Sequence, residues 1–262
     1  MGFYTPAEIL DITRQKGVDK GNIPFFKLLV LAFMGGMYIA LGFLAFIRVS
    51  GTMPAEWGSL RTFLGACVFP VGLVGVLLAG GELATSNMMI LTVSCLKKDI
   101  PFSKLLYNWS VVFVGNLIGS LFVAFFLGHY TGISEGDFLN VTLSIASAKV
   151  DQAFLPAMVS GIGCNIFVCL GAWLCFGAKD FTGKIVGCWF PVMTFVAIGF
   201  QHVVANMFVI PAAMFSGKSS ITLLDFGENL LSVYIGNVIG GAVFFGIMYL
   251  LIYGQDKKKS SS

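Results

Sequence analysis

The sequence has little charge: Asp, Glu, Lys and Arg make up 11% of its 262 residues, whereas apolar residues make up 57%. Soluble domains average about 25% charged residues and at most about half apolar residues. A water-soluble enzyme is therefore excluded. The net charge of +3, from 16 basic and 13 acidic side chains, is too small and too scattered to form a nucleic-acid-binding surface, and we expect no nucleic-acid partner.

The sequence also lacks any pattern of metal-binding or redox residues. Its six cysteines lie inside apolar stretches, with no C-x-x-C pair and no cluster with histidine. Cysteines in such positions are typically small buried hydrophobic residues. No nucleophile, base and orienting group occur in a catalytic arrangement either, so we expect no cofactor, no metal and no enzymatic activity.

The first residues lack the apolar core and cleavage site of a signal peptide. Thr5 as N-cap, Pro6 at the first helical position and Glu8 three residues past the cap predict the start of a helix instead. We expect residues 1–24 to form a short amphipathic helix that lies on the membrane surface or against the protein body.

Long uncharged runs predict six membrane crossings. Four of them are of ordinary length for a membrane-spanning helix: 28–47, 105–128, 152–178 and 229–255. Two others, 62–96 and 185–217, are too long for one span and too short for two spans with a turn. Each therefore predicts a single crossing helix that is broken near its middle.

The basic residues of the connections predict the orientation. Most of them share a side with the N-terminal segment, whereas Arg48, Arg61, Lys149 and Lys218 fall on the opposite side. Both termini are thus expected in the cytoplasm of a multi-pass protein of the bacterial inner membrane. The expected division is a helix at 1–24, a six-span channel domain at 25–256 and a cytoplasmic tail at 257–262.

Three short motifs recur in the same order in the two halves of the chain. Residues 38–42 resemble 167–171, residues 82–88 resemble 201–207, and residues 115–119 resemble 236–240. The near-constant offset indicates a duplicated three-span unit, with repeats at 25–130 and 150–256. Because each unit has an odd number of spans, the second unit must be inverted. An inverted repeat with a broken helix in each half is typical of transporters, with the functional site near the bilayer midplane.

The two breaks carry the polar residues that we expect at this site. In the first break, the Thr85 hydroxyl is a hydrogen-bond donor for a permeant species, or only a cap for the next half-helix. The second break contains His202, which is able to donate a hydrogen bond or a proton to a passing anion, with one side of its ring held by a fixed partner such as an Asn amide. Asn116, Asn165, Asn206 and Asn237 near midspan predict either helix-helix hydrogen bonds or polar steps of a pore.

These residues lie in motifs that resemble those of the formate/nitrite transporter family. Residues 77–86, LLAGGELATS, resemble one family signature, with Ala84 where Phe or Ile is usual. Residues 161–171, GIGCNIFVCLG, resemble a second signature, and residues 199–207, GFQHVVANM, resemble the block around the family's central histidine. The resemblance covers nearly the whole chain.

This resemblance implies an all-α membrane protein: a homopentamer of aquaporin-like protomers, each with six transmembrane helices, of which the second and fifth are broken, and its own anion pore. It implies a pore centre, a cytoplasmic constriction, an outer constriction and a residue that attracts anions. The residues implied at the pore centre are His202, Thr85, Asn165, Asn206 and Gln201. Those implied at the cytoplasmic constriction are Leu73, Leu83 and Ala84, and those at the outer constriction are Phe69, Val168 and Phe195. The residue implied to attract anions is Lys149. Asn165 and Asn206 are implied to orient or assist His202.

Two departures from the family pattern bear on the permeant anion. Gln201 and Val203 flank His202, where the formate and nitrite branches usually have Glu and Ser. A neutral neighbour removes a negative charge that would favour the imidazolium form. This pattern resembles the hydrosulfide-channel branch most, which implies HS⁻ as the main permeant anion, with formate, nitrite or chloride sharing the path.

Three alternatives stay open on the sequence. The first is a formate or nitrite channel, with or without proton coupling; the second is an aquaporin-like channel for neutral solutes; and the third is a membrane anchor that carries haem. The aquaporin reading requires Asn-Pro-Ala at both breaks, and neither break contains proline. A haem-carrying membrane anchor requires paired axial ligands within the spans, and His202 is the only histidine there.

Overall fold

The computed structural model describes residues 2–254, which form an all-helical protein. Six helices are long and apolar enough to cross a membrane, and a shorter apolar helix follows the second and the fifth of them. The helices are α1 Pro6–Gly21, α2 Phe25–Ser50, α3 Ser59–Gly80, α4 Ala84–Leu96, α5 Phe102–Tyr130, α6 Leu139–Val150, α7 Phe154–Gly177, α8 Phe181–Ile198, α9 Val203–Phe215 and α10 Leu223–Tyr253. The predicted six-span fold is confirmed, whereas the tail at 257–262 lies outside the described residues.

The second and fifth spans are broken, as predicted, and the two breaks are built alike. Gly80 at the end of α3 has φ 105° and Gly199 just after α8 has φ 86°, values that favour glycine because side chains with a Cβ are strained there. Three extended or irregular residues follow each glycine before the half-helix α4 or α9 begins. The first break divides its crossing into α3 with 22 residues and α4 with 13.

The half-helices α4 and α9 form the centre of the bundle. Their first eleven residues are all buried. Around them, α2 packs along α5 in the first half of the chain, and α7 packs along α10 in the second half. The corresponding helices of the two halves thus make corresponding contacts, as expected for an inverted repeat. The breaks are therefore held at the centre, with both half-helices shielded from the surroundings.

Close contact between α2 and α5 depends on Gly36. A Cβ atom at this position would lie 2.1 Å from the Asn116 carbonyl oxygen and 2.6 Å from the Asn116 Cα atom, both of which belong to the backbone. Gly227 in α10 is a matched control, because a Cβ there would meet nothing within 4 Å. Only the first of the two glycines is needed for packing.

We expect Gly36→Ala to destabilise the protein by about 1–3 kcal/mol, because α2 must move away from α5. Gly227→Ala should instead raise the stability slightly, since alanine favours a helix interior over glycine. Thermal unfolding of both purified variants in detergent measures the difference. Equal melting temperatures would contradict the close packing of α2 and α5.

The N-terminal helix α1 packs against the protein body. Its start has the predicted capping box, in which Thr5 and Glu8 exchange hydrogen bonds between side chain and backbone. Ile9 and Leu10 are buried and belong to one apolar cluster with residues of α4 and α7. Of the two placements expected from the sequence, the structure has the one against the body.

Candidate functional site

Thr85 and His202 meet at the centre of the bundle. Thr85 Oγ1 lies 3.0 Å from His202 Nε2, and both residues are buried. His202 Nδ1 accepts a hydrogen bond of 3.0 Å from the Ala205 backbone N–H, so the neutral ring carries its proton on Nε2. This proton is donated to Thr85 Oγ1. The hydroxyl hydrogen of Thr85 is consequently free to donate to another group.

The same contact brings two helix N-termini together. Thr85 is the second residue of α4, and His202 is the N-cap of α9. The N-terminus of a helix carries a partial positive charge and unpaired backbone N–H groups. Two such ends at one point favour an anion over a cation. This field at the centre comes from the backbone and needs no basic side chain.

A vestibule of about 1000 Å³ opens on the side of the bundle that carries α6. Its wall includes two basic side chains, Arg61 and Lys149, and two acidic ones, Asp137 and Asp151. The vestibule extends inward to His202. Arg61 is fixed in this wall, because its guanidinium donates to the backbone carbonyls of Ser50 and Gly51. The vestibule is wide enough for hydrated ions.

A small apolar chamber lies beyond the vestibule and is too narrow to hold a water molecule. Its wall is formed by Ile39, Phe69, Leu73, Leu83, Val168, Val192, Phe195 and His202. Within the described residues, His202 is the only polar side chain of this wall. An anion that enters the chamber loses its water shell and meets one side-chain donor.

Phe69, Phe195 and His202 separate the vestibule from the chamber, because all three line both. The rings contact one another: Phe195 stacks on His202 with centroids 5.7 Å apart, and Phe69 meets Phe195 edge to face at 5.9 Å. Two of the three residues expected at an outer constriction thus stand at this partition. The third, Val168, lies in the chamber wall and does not reach the vestibule.

The residues expected at the other constriction are only partly together. Leu73 and Leu83 both line the chamber. Ala84 is not part of this wall as far as the structure describes it; it is buried, and its backbone N–H donates to Asn116 Oδ1 at 2.9 Å. Ala84, which the resemblance implies at this constriction, therefore does not line the chamber. Ile39 and Val192, which the sequence motifs do not single out, complete the wall.

Contrary to the expectation from the sequence, Asn165 and Asn206 form no hydrogen bond with His202. The Asn165 amide donates to the backbone carbonyls of Thr85 and Asn237, at 3.1 and 2.6 Å. Asn206 donates to the side chains of Gln201 and Asn229. The expected Asn partner of the imidazole is thus replaced by the backbone N–H of Ala205. A helix N-cap contact of this kind leaves no residue-type signal in the sequence.

Asn116 and Asn237 hold the two breaks in place. Asn116 Nδ2 donates to the carbonyls of Ala32 and Glu82, while its Oδ1 accepts from Ala84. Asn237 makes the equivalent three bonds to Gly161, Gln201 and Val203. Of the two roles open for these residues, helix-helix hydrogen bonding is therefore the one the structure has.

Lys149 lies at the end of α6, against the second break. Its Nζ donates to the carbonyls of Gly199 and Phe200, at 3.2 and 3.1 Å, so it caps the negative end of α8. Burial lowers the pKa of Lys149 to about 8, which leaves most of its charge at pH 7. A mostly charged ammonium group thus faces the vestibule.

No group of three or more His, Cys, Asp or Glu side chains is arranged to hold a metal ion within residues 2–254. At the contact between the two breaks, the polar side chains are the Thr85 hydroxyl and the His202 imidazole. Both of these groups donate and accept hydrogen bonds. The arrangement is suited to passing an anion through a narrow path.

Comparisons with known proteins match nearly the whole chain to one family of transporters. The sequence model of the family described as "Formate/nitrite transporter" matches residues 7–251. The chain is 52% identical over 259 residues to "Uncharacterized transporter YrhG" of Bacillus subtilis, which covers 98% of this chain and 97% of that protein. It is 48% identical over 256 residues to "Formate channel BtFdhC" of Bacillus thuringiensis, with 98% of each chain covered. A solved structure described as "Pentameric formate channel with formate bound" is similar with a TM-score of 0.75 and 32% identity, over 88% of this chain and 98% of that one.

Proposed function

The chain belongs to the formate/nitrite transporter family, and on that premise we propose that it forms a pore for small monovalent anions of weak acids, with formate as the favoured permeant. The observation that carries this proposal is the contact of 3.0 Å between Thr85 and His202 at the two meeting helix N-termini. It combines a positive backbone field with two polar side chains in apolar surroundings. Support for formate comes from a relative, named as a formate channel, that is 48% identical over its length.

The path runs from the vestibule to the chamber. An anion that is attracted by Lys149 reaches the partition of Phe69, Phe195 and His202, where it loses water. There the free hydroxyl hydrogen of Thr85 and the N-termini of α4 and α9 replace part of its hydration. Because the remaining wall is apolar, passage costs least for an anion that also exists as a neutral acid, since the neutral form has little to lose on desolvation.

Passage requires the partition and the Leu83 segment to move, because the chamber is too narrow for water in this structure. Leu83 and Thr85 follow directly on the break at Gly80 and Gly81. A segment joined through a glycine with positive φ changes conformation at low steric cost. The first break, whose Leu83 lines the chamber, is therefore the proposed gate.

The assembly proposed is a homopentamer in the bacterial inner membrane, with both termini in the cytoplasm and Lys149 on the outer side. The solved relative described as pentameric supports this assembly. The exposed surface of the protomer is rich in large apolar residues: α8, for example, exposes Trp189, Phe190 and Ile198. Such a surface fits lipid and neighbouring protomers equally well.

Hydrosulfide is the second candidate permeant, and a specific observation favours it. Gln201 precedes His202 where formate channels usually have Glu, and its side chain is fully engaged: Nε2 donates to Gln152 Oε1 and Lys149 O, and Oε1 accepts from Asn206. This arrangement puts no carboxylate beside the imidazole. HS⁻ is also the anion of a weak acid, so the same path accommodates it.

The test is flux into proteoliposomes of the purified protein, with formate, hydrosulfide, nitrite and chloride compared under one gradient. We expect formate to pass at least about tenfold faster than chloride, because formate, unlike chloride, is the anion of a weak acid and is able to cross the chamber in the neutral form. Faster hydrosulfide than formate flux would favour the second candidate. Equal flux of chloride and the weak-acid anions would overturn the proposed path.

A further inference from the structure

The two breaks are held by hydrogen-bond networks that mirror each other. Asn87 Nδ2 donates to Glu82 Oε2 at 2.7 Å and to Asn108 Oδ1 at 2.8 Å. In the second repeat, Asn206 Nδ2 donates to Gln201 Oε1 and to Asn229 Oδ1 at the same two distances. Glu82 and Gln201 are therefore equivalent positions by contact as well as by sequence.

The mirror relation extends to two lysines. Asn108 Nδ2 donates to the backbone carbonyl of Lys20 in α1, and Asn229 Nδ2 donates to the backbone carbonyl of Lys149 in α6. Each lysine thus sits beside the break of its own repeat, and the two lie on opposite sides of the bundle. Lys20 is the counterpart of Lys149.

The two lysines differ in what neutralises them. Lys20 Nζ donates to Glu82 Oε1 at 2.5 Å and forms an ion pair that is largely buried, with 17% and 6% of the two side chains exposed. Lys149 has the neutral Gln201 at the equivalent place, and its Nζ donates only to backbone carbonyls. Among residues 2–254 no carboxylate forms an ion pair with Lys149.

The other charges of the vestibule do not remove this difference. Asp137 and Asp151 are exposed to solvent, where ions screen them, and Arg61 adds a second positive charge to the same wall. Lys149 is held by the carbonyls of Gly199 and Phe200 at the second break, so its charge stays beside the break.

From this asymmetry, and resting on the proposed anion flux, we infer that Gln201 makes the two mouths of the pore unequal. Anions bind more readily from the Lys149 side than from the Lys20 side. The reason is that Gln201 leaves Lys149 without a counter-charge, whereas Glu82 neutralises Lys20. Gln201 is a positioning residue here, since it acts through Lys149. The consequence is a half-saturating anion concentration that depends on the side of addition.

Initial rates of labelled formate uptake into right-side-out and inverted membrane vesicles, at pH 7, test the inference. For the unaltered protein we expect a KM about threefold to tenfold lower on the Lys149 side, as an unpaired partly buried charge favours the anion there. Equal KM values on both sides would overturn the inference. If formate does not pass but another weak-acid anion does, the formate assignment fails and the same two-sided comparison is made with that anion.

Gln201→Glu should pair with Lys149 as Glu82 pairs with Lys20. We expect it to raise the KM on the Lys149 side about fivefold and to leave the KM on the opposite side unchanged. Gln201→Met is the control: like Glu it loses the two bonds that Gln201 Nε2 donates, and it also loses the acceptor for Asn206, but it adds no charge, so its Lys149-side KM should stay near that of the unaltered protein. Equal effects of the two substitutions would reduce Gln201 to a structural residue and overturn the inference.

A comparison of single substitutions identifies Lys149 as the group through which Gln201 acts. Lys149→Met should raise the KM on its own side to about that of Gln201→Glu, because both substitutions take away the net positive charge at this mouth. A Lys149→Met KM near that of the unaltered protein would mean that Gln201 acts on the anion by another route. This outcome too would contradict the inference.

Discussion

Replacing His202 with phenylalanine is expected to lower formate flux about a hundredfold, because a hydrogen bond to a charged group contributes about 1.5–3 kcal/mol. The imidazole is the only polar side chain in the described wall of the chamber, and it stacks on Phe195. Phenylalanine keeps this stacking and nearly the same volume. It removes the donor to Thr85 and the acceptor for the Ala205 N–H, so the described side-chain wall of the chamber becomes entirely apolar. Stopped-flow uptake into proteoliposomes measures the loss.

Thr85→Ser is the control for His202→Phe. Serine keeps the hydroxyl that lies 3.0 Å from the imidazole, so flux should remain within about threefold of the unaltered protein. The loss of the N-cap bond from Ala205 should cost His202→Phe about 1 kcal/mol of stability, which thermal unfolding would register separately from flux. Undiminished flux through His202→Phe would mean that the permeant does not contact this residue.

Phe69→Ala should open the pore to larger weak-acid anions. Phe69 lines both the vestibule and the chamber, and its ring meets Phe43 and Phe195 edge to face. Its removal joins the two cavities, so we expect formate flux to rise about tenfold and lactate, excluded before, to pass. The same substitution should cost about 3–5 kcal/mol of stability because the ring is buried.

Phe208→Ala separates the widening from the destabilisation. Phe208 is fully buried and also contacts Phe43, at 5.8 Å between centroids, but it lines neither the vestibule nor the chamber. It should lose as much stability as Phe69→Ala without admitting lactate. Lactate flux through both variants would attribute the leak to general loosening of the bundle, and the partition assigned to Phe69 would be incorrect.

Much of the fold follows from the sequence because the membrane limits the choices. Uncharged runs of spanning length fix six crossings, and the excess length of two of them predicts the breaks at Gly80 and Gly199. The internal offsets predict that the halves correspond. The glycines at the start of the first break mark its position, because a residue without a Cβ tolerates the positive φ at which α3 ends.

The residues of the site were predictable where they are polar types that are rare within membrane spans, and unpredictable where they are ordinary apolar residues. One histidine and one threonine at the breaks marked the centre, and Glu82 as a buried acid required a partner, which is Lys20. Ile39 and Val192 gave no signal, because an apolar residue of the pore wall looks the same as one that faces lipid. Asn108 and Asn229 were within reach, since their spacing repeats that of Asn116 and Asn237.

The hydrogen bonds by which Asn116 and Asn237 hold the two breaks bear on the origin of the molecule. The Asn116 amide binds only groups of the first repeat, and the Asn237 amide only groups of the second, so each half supplies the asparagine that braces its own break. Thr85 and His202, by contrast, meet across the boundary between the halves. The protein is in effect a dimer fused into one chain, and its pore is the dimer interface. Selectivity therefore belongs to neither half alone, and the ancestral unit would have gained it only by pairing with a second copy.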